Sequence, residues 1–400
     1  GNAIDAAVAM AAMLTVVEPG GNGIGADNFA IVWHKGKMYG LNSSGFAPAA
    51  LTAEKLRAEG RTEMPLHGWG AVTVPGAPYG WQALIERFGN LSLQEVLTPA
   101  IEAAEEGVVM TAYETLKWKV IPELYRDIGD LAKGINELYT RNGDFYKPGE
   151  IFRSPGHART LRIVAEQGAK GFYEGEPAQA IADLAGKTGG YLTMEDFAAY
   201  QPEWVEPIKQ HYRGYDVWEL PPNGQGIVCL MALSILSGYE FRPDAFGTPE
   251  TVHLQLEAMK LAFADAMKYV ADPTTMSVKV EDLLSEAYAA ERRRLIHPGE
   301  AQQFTAGRPD QGGTVYFAAA DEDTMISMIQ SNYQGFGSGI VIPEYGLSLQ
   351  NRGHAFSLEE GHDNMLRPRK RSYHTIIPGF LTKGEEPIGP FGVMGAFMQP

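Results

Sequence analysis

The chain has 400 residues, 44% hydrophobic and 20% charged, enough for a large buried core across two or three domains. Its net charge of −16 and pI near 5.1 argue against nucleic acid or an anionic membrane surface as a partner. A lone cysteine, Cys229 in an apolar run, excludes an internal disulfide and reads as a buried, inert thiol; the nine histidines lack metal-ligand spacing, so no metal or cofactor is expected.

Asp5 to Val17 reads as an alanine-rich helix, small on every face and so tightly buried. The glycine-rich turn Glu18 to Gly25 follows, then strand patterns at Asn28–His34 and Lys37–Leu41, which predict a hairpin across Lys35-Gly36. That turn lacks the Lys-Ser/Thr ending of a phosphate loop; a tight turn beside a site is the competing reading. From Leu51 to about Pro207 the chain is mostly helical, with patterns at Tyr79–Phe88, Ser92–Glu106 and Leu161–Gln167, and a capped start at Thr193 with Asp196 three residues on. Gln210–Leu220 alternates as a strand, Thr251–Ala271 is an amphipathic helix closed by Asp272-Pro273, and Glu281–Leu295 is another helix. Pro298–Gly313 is polar and aperiodic, as an exposed, protease-sensitive loop would be. Beyond it, Val315–Ala320 and Met325–Gln330 read as strands joined by Asp321–Thr324, with further strands at Gly346–Asn351, Thr375–Phe380 and Phe391–Met394. Helices first and strands later predict a layered α+β architecture with antiparallel strands. No apolar stretch reaches the ~20 residues a membrane helix needs. The chain opens without methionine, in mid-motif, and stops at Pro400, so it is expected to be incomplete at both ends and its compartment is not legible.

Chemistry concentrates at Asp310-Gln-Gly-Gly-Thr314, where a glycine pair precedes a threonine that opens a strand. Cleavage between Gly313 and Thr314 would make Thr314 a new N-terminus. A threonine hydroxyl is a weak nucleophile unless a base stands within hydrogen-bond reach. A free α-amine, with a pKa of about 7.7–8.0, is such a base on the same residue. The competing reading is a β-branched strand residue after a Gly-Gly turn.

Four stretches, in order and spanning nearly the whole chain, carry a resemblance. They are Gly1–Ala9 with Val17-Glu-Pro and Gly23-Ile-Gly25; Val74-Pro-Gly76; Glu257–Asp265 with Asp272-Pro273; and the region from Gly313 to Gly395. Together they resemble the γ-glutamyltransferase (glutathione hydrolase) superfamily of N-terminal-nucleophile hydrolases, including its cephalosporin-acylase-like branch. The resemblance implies a four-layer αββα sandwich with additional helices. It also implies a precursor that cuts itself between Gly313 and Thr314 into a large-subunit part (1–313) and the start of a small-subunit part (314–400), which stay together as one composite domain. Thr314 would be the nucleophile, acting on a small-molecule amide through an acyl-threonine intermediate without cofactor; a homo-oligomer is left open.

The carry-over to individual residues is partial. Asn332 matches the asparagine that holds nucleophile and substrate, against a reading as a turn residue before the loop Gly335–Gly339. Gln330 stands where the family has a threonine, and Val315 where it has Thr or Ser. His374-Thr375 replaces a serine pair beside the substrate; Thr375 is the better match, and His374 is either a donor near the site or a packed strand-end histidine. The oxyanion hole would fall to the backbone N–H groups of Met398 and Gln399, each such donor being worth roughly 3 kcal/mol. Ser44 replaces the arginine that clamps the γ-glutamyl carboxylate, and Ala355 the aspartate that pairs with its ammonium. Losing the partner of a desolvated charge costs about 2–5 kcal/mol, which counts against ordinary γ-glutamyl recognition. Arg352 could anchor a carboxylate from another direction, as in a glutaryl-type acyl group, or form a surface salt bridge. Val315, Gln330 and the altered pocket also fit a non-catalytic member that serves as a binding or scaffold protein.

Overall fold

A computed structural model describes residues 1–141, 143–303 and 313–400. Helix α1 (Ala3–Val17) starts at a capping box: Asn2 Oδ1 accepts the N–H groups of Ile4 and Asp5, and Asp5 returns a bond to the Asn2 N–H at 2.7 Å. Its alanines let it lie closely on the sheet, burying Ile4, Ala7, Val8, Ala11, Ala12 and Val16. Strands β1 (Asp27–His34) and β2 (Lys37–Ser43) form the expected hairpin. Lys35 and Gly36 turn it with φ of 49° and 81°, the left-handed pair that suits a two-residue turn.

Helices α2 (Ala77–Phe88), α3 (Leu93–Glu106) and α4 (Pro155–Gln167) follow, then strands β3 (Glu203–Val205), β4 (Ile208–Tyr212) and β5 (Tyr215–Glu219). After helices α5 (Gly226–Leu236) and α6 (Pro249–Tyr269) come β6 (Gly313–Ala320), β7 (Thr324–Tyr333), β8 (Gly379–Lys383) and β9 (Glu386–Phe391). Two antiparallel sheets result, in the orders β6-β7-β1-β2-β3 and β9-β8-β5-β4. They face each other across Phe29, Ile31, Leu220, Ile329, Ile376 and Phe380, all buried. Each such side chain contributes roughly 1.5–3 kcal/mol of hydrophobic stabilisation. Helices α1 and α2 cover the outer face of the first sheet, and α5, backed by α6, that of the second. This is the expected four-layer αββα sandwich.

Several elements depart from the sequence reading. Gln210–Leu220 belongs to a hairpin, β4–β5, that turns at Arg213 (φ 52°) and Gly214 (φ 89°). A two-residue turn leaves the alternation of side chains unbroken, which concealed it. Glu281–Leu295 is split into Val280–Leu283 and Glu286–Arg293 because Ser285 caps the second piece, accepting the Tyr288 N–H at 3.3 Å. Of Gly346–Asn351 only Leu347–Ser348 pairs as strand, and of Thr375–Phe380 only Gly379 and Phe380 do; Phe391 ends β9 instead of starting a strand. The backbone of 374–377 bonds elsewhere: the His374 N–H goes to the Asn223 carbonyl and the Ile377 N–H to Gln399 Oε1. Cys229 is half-buried, and burial pushes its thiol up to about 12, so it is not ionised at neutral pH. The polar loop read at Pro298–Gly313 lies mostly outside the described residues.

Close approach of backbones makes Gly45 indispensable: a Cβ there would lie 1.6 Å from the Val74 carbonyl oxygen. Gly45→Ala is expected to lower stability by about 3 kcal/mol, read as a shifted urea midpoint. Gly186→Ala, in the helix Glu176–Thr188 with open space at its Cβ, should instead raise stability by about 0.5–1 kcal/mol. Equal midpoints for the two variants would contradict this packing.

Candidate active site

Thr314 sits at a register break at the start of β6: Gly313 lies opposite Tyr333, but Val315 lies opposite Gln330. The register from Val315 onward sets Thr314 opposite Ser331, and the break displaces Gly313 by one residue. Thr314 Oγ1 lies 3.1 Å from the hydroxyl of Ser331, which itself accepts the Tyr333 N–H at 2.8 Å. Gly313 and Thr314 are consecutive residues of one strand here, so the threonine nitrogen is an amide that only cleavage would turn into an amine.

Asn332, the residue after Ser331 in β7, is fully buried. Its backbone N–H donates to the Gly21 carbonyl at 3.2 Å, and its own carbonyl accepts the Asn351 N–H at 3.2 Å. Its Nδ2 reaches the Pro19 carbonyl at 3.5 Å, while Oδ1 has no hydrogen-bond partner among the described residues. The glycine turn serves this contact: a Cβ on Gly23 would stand 3.2 Å from Asn332 Oδ1, and one on Gly25 would stand 2.3 Å from the Ser348 carbonyl. These glycines therefore work as close-packing residues beside the site, which favours the turn reading over the phosphate loop. Gln330 cannot replace the family threonine, because Trp81 Nε1 and Asn28 Nδ2 donate to its Oε1 at 2.8 and 3.4 Å and its Nε2 donates to Asn22 Oδ1 at 2.5 Å. Ser331 supplies the neighbouring hydroxyl instead.

The second group of expected residues is assembled around Arg352, which is 1% exposed. A surface salt bridge is therefore excluded. Arg352 Nη1 donates to Thr375 Oγ1 at 2.7 Å, and the guanidinium carbon lies 4.8 Å from the centre of the Tyr333 ring. Its Nε and Nη2 have no hydrogen-bond partner among the described residues. Burial pushes this guanidinium down to about 10, partly offset by the charge of Asp27. His374 is also buried, packed on Phe29 with ring centres 4.6 Å apart, and its Nε2 lies 3.2 Å from Asp27 Oδ2. Its Nδ1 accepts the Ile376 N–H at 3.5 Å, which places the proton on Nε2, facing Asp27. Burial, aided by Arg352, holds the imidazole well below its usual pKa, so it is neutral. His374 is thus a packed histidine that bonds a carboxylate.

A cleft of about 810 Å³ is lined by Tyr333, His354, Ala355, Phe356 and Phe397 together with the charged residues Arg57, Arg61, Glu63 and Glu359. Ala355 thus lines the opening. Ser44 does not; its hydroxyl donates to Asn42 Oδ1 at 2.7 Å, and its carbonyl accepts Arg371 Nε at 3.0 Å. The N–H groups of Met398 and Gln399 already donate to the carbonyls of Gly395 and Ala396, at 2.9 and 3.3 Å, within the short turn Ala396–Met398. Receiving an oxyanion there requires those bonds to be exchanged.

Three residues that matter to this geometry were not singled out from the sequence: Ser331, Asp27 and Gln225. Gln225 Nε2 donates to the carbonyls of both Thr375 and Ala396 at 2.8 Å, and its Oε1 accepts the Tyr373 hydroxyl, so it fixes the Thr375 strand end to the turn that carries Met398. The Pro221-Pro-Asn-Gly-Gln225 string was the available signal, a turn too rich in side-chain amide to be only a turn.

An αββα sandwich with a threonine at the start of a strand of the first sheet is the framework of an N-terminal-nucleophile hydrolase. The model of the gamma-glutamyltranspeptidase family matches residues 1–400, and the chain belongs to that family of enzymes. It is 37% identical over 406 residues to the glutathione hydrolase-like YwrD proenzyme of Bacillus subtilis, covering 100% of this chain and 75% of that protein. It is 34% identical over 412 residues to the acylase ACY 1 proenzyme of a Pseudomonas species, covering 99% and 73%. The crystal structure of a cephalosporin acylase from Bacillus halodurans superposes with a TM-score of 0.95 at 53% identity, covering 100% of this chain and 74% of that one. All three are hydrolases by name, and none supports the non-catalytic alternative.

Replacing Ser331 by Ala removes a hydrogen bond of about 1–1.5 kcal/mol at the Thr314 hydroxyl. Roughly tenfold slower amide turnover is expected, with a thermal midpoint close to that of the parent. An unchanged rate would show that Ser331 does not act on Thr314.

Proposed function

We propose that the chain is a precursor which cleaves its own Gly313–Thr314 bond and then hydrolyses small-molecule amides with Thr314. The observation that carries this reading is the pairing of Thr314 with Ser331 at the start of β6, which brings the two hydroxyls to 3.1 Å in a chain of this family. After cleavage the Thr314 amine takes the hydroxyl proton, and Oγ1 attacks the substrate carbonyl. The amine returns the proton to the leaving nitrogen, and an acyl-threonine remains. Water, or an amine acceptor in transfer, then releases the acyl group. The N–H groups of Met398 and Gln399 receive the oxyanion once they leave their turn. The parts 1–313 and 314–400 remain one body, because the first sheet takes β1, β2 and β3 from one side of the cut and β6 and β7 from the other. The proenzyme names of two relatives agree with this processing.

For the substrate, the acyl group best matched to the site ends in a carboxylate and lacks an α-ammonium, as glutaryl does. Support comes from Arg352, a buried cation with Nε and Nη2 unpaired among the described residues, and from the alanine at position 355, whose side chain carries no charge for an ammonium.

A denaturing gel of the purified protein tests the first claim. Two bands are expected, the smaller starting at Thr314 by N-terminal sequencing, and Thr314→Ala should give one band and no turnover. A single band from the parent protein, or two bands from Thr314→Ala, would refute it. For the substrate, glutaryl anilide should be cleaved at least tenfold faster than γ-glutamyl anilide, and Arg352→Ala should abolish the difference. Unchanged rates on both anilides in Arg352→Ala would refute the anchor.

A further inference from the structure

Asp27 opens β1 with no exposed surface, yet the proposed chemistry makes no use of it. Its Oδ1 accepts the Gly45 N–H at 3.2 Å, and its Oδ2 faces His374 Nε2 at 3.2 Å. The charged or titratable groups around it are Arg352, Arg371, His374, Tyr173 and Tyr200. Arg371 is committed to Glu203 at 2.6 Å and to the Ser44 carbonyl. His374 is held neutral by burial, and burial likewise raises both tyrosines, which stay protonated. That leaves Arg352, a buried cation that reaches the same turn as Asp27: Arg352 Nη1 bonds Thr375 at 2.7 Å, Asp27 Oδ2 meets the preceding residue, His374, at 3.2 Å, and no hydrogen bond joins the two charges directly.

We propose that Asp27 is the counter-charge of Arg352 only while the site is empty, and that it takes up one proton when a carboxylate-bearing acyl group binds there. Asp27 thereby sets the pH range over which such substrates are accepted. The proposal rests on the reading of Arg352 as the carboxylate anchor. Two carboxylates around one buried cation would leave a net negative charge out of water, and like charges at close range drive one of them to protonate. Asp27 is prepared for this: burial has already pushed its carboxyl up to about 7, against the opposing pull of Arg352. The tyrosines already carry their protons, and His374 is a poor acceptor because burial and the neighbouring Arg352 both disfavour its imidazolium.

The sign follows from linkage. Below pH ~7 Asp27 already holds its proton, so binding is tight and takes up none. Above it, each pH unit must weaken binding by about tenfold, because one proton is bound with each ligand. Asp27→Asn mimics the protonated state and should bind equally well on both sides of neutrality. The same raised carboxyl makes the parent protein lose stability as pH rises from about 4 to about 7, a slope that Asp27→Asn should flatten.

Glutarate binding to the intact, processed protein, followed by calorimetry in two buffers of different ionisation enthalpy, decides the matter. Expected for the parent protein is about one proton taken up per glutarate near pH 8.5, with Kd rising about tenfold per pH unit above neutrality. Asp27→Asn should show no uptake and no slope. An absence of uptake by the parent overturns the proposal even where Asp27→Asn fails to fold, and so does a slope retained in Asp27→Asn. If Arg352→Ala leaves glutarate binding unchanged, or the parent binds none, the anchor itself is wrong and the proposal falls with it. If Arg352→Ala abolishes binding while the parent takes up no proton, only the role of Asp27 is rejected.

Discussion

The antiparallel ladder between β1 and β7 is the constraint on which the rest depends. It sets Asp27 opposite Ser331 and Asn28 opposite Gln330, joining residues from the two ends of the chain at the centre of one sheet. Closing so long a loop is costly in entropy and slow, so the pairing must be held by more than backbone bonds. Its apolar half supplies that hold: Phe29, Ile31 and Ile329 face the second sheet, while Ala30, Val32, Ile326 and Met328 face the helices.

The other end of the same ladder is polar and equally buried. Asp27, Asn28, Gln330, Ser331 and Asn332 have no exposed surface, and each unsatisfied polar group there would cost roughly 1–3 kcal/mol. Most are satisfied by neighbours far away in sequence: Trp81 and Asn22 bond Gln330, and Gly45 and His374 bond Asp27. Within this polar end Asn28 Oδ1 and Asn332 Oδ1 have no partner among the described residues, and neither do Nε and Nη2 of Arg352. Buried polar atoms left in this way are the exception in a folded protein and point to a functional role.

How much of this was legible in the sequence depended on whether a residue acts locally. The β1–β2 hairpin, the α1 helix and the strand that opens at Thr314 follow from periodicity and turn chemistry within a dozen residues. The framework and Thr314 itself could be placed because four motifs in order identify the family. Asp27 could not, since one aspartate among 49 acidic residues carries no local signal and its partners are 18, 325 and 347 positions away. Ser331 was hidden for a different reason. Strict strand alternation groups Gln330 with Asn332, and Ser331 meets Thr314 only through the register of β6 on β7, which no local pattern in the sequence reports. Gln225 acts by joining two segments that the sequence separates by some twenty residues, and neither segment is regular secondary structure at the point of contact.

The same geometry gives a reason why the clamp arginine of the family has no counterpart at position 44. Ser44 is fully buried within the Asn42 and Asn223 network, and the guanidinium of Arg371 already takes its carbonyl. A second guanidinium there would sit next to Arg371 with only Asp27 and Glu203 nearby, and Glu203 is already paired. Burying a further cation without its own anion costs several kcal/mol. Positive charge in this pocket is therefore placed at position 352, under Tyr333, where Asp27 can balance it. The cleft that Ala355 lines carries charges of both signs, Arg57 and Arg61 with Glu63 and Glu359, and Arg352 is not among its lining residues. In the proposed reading, selection by charge therefore rests on Arg352, which would receive a single carboxylate, and on position 355, where an alanine offers an ammonium no partner of its own.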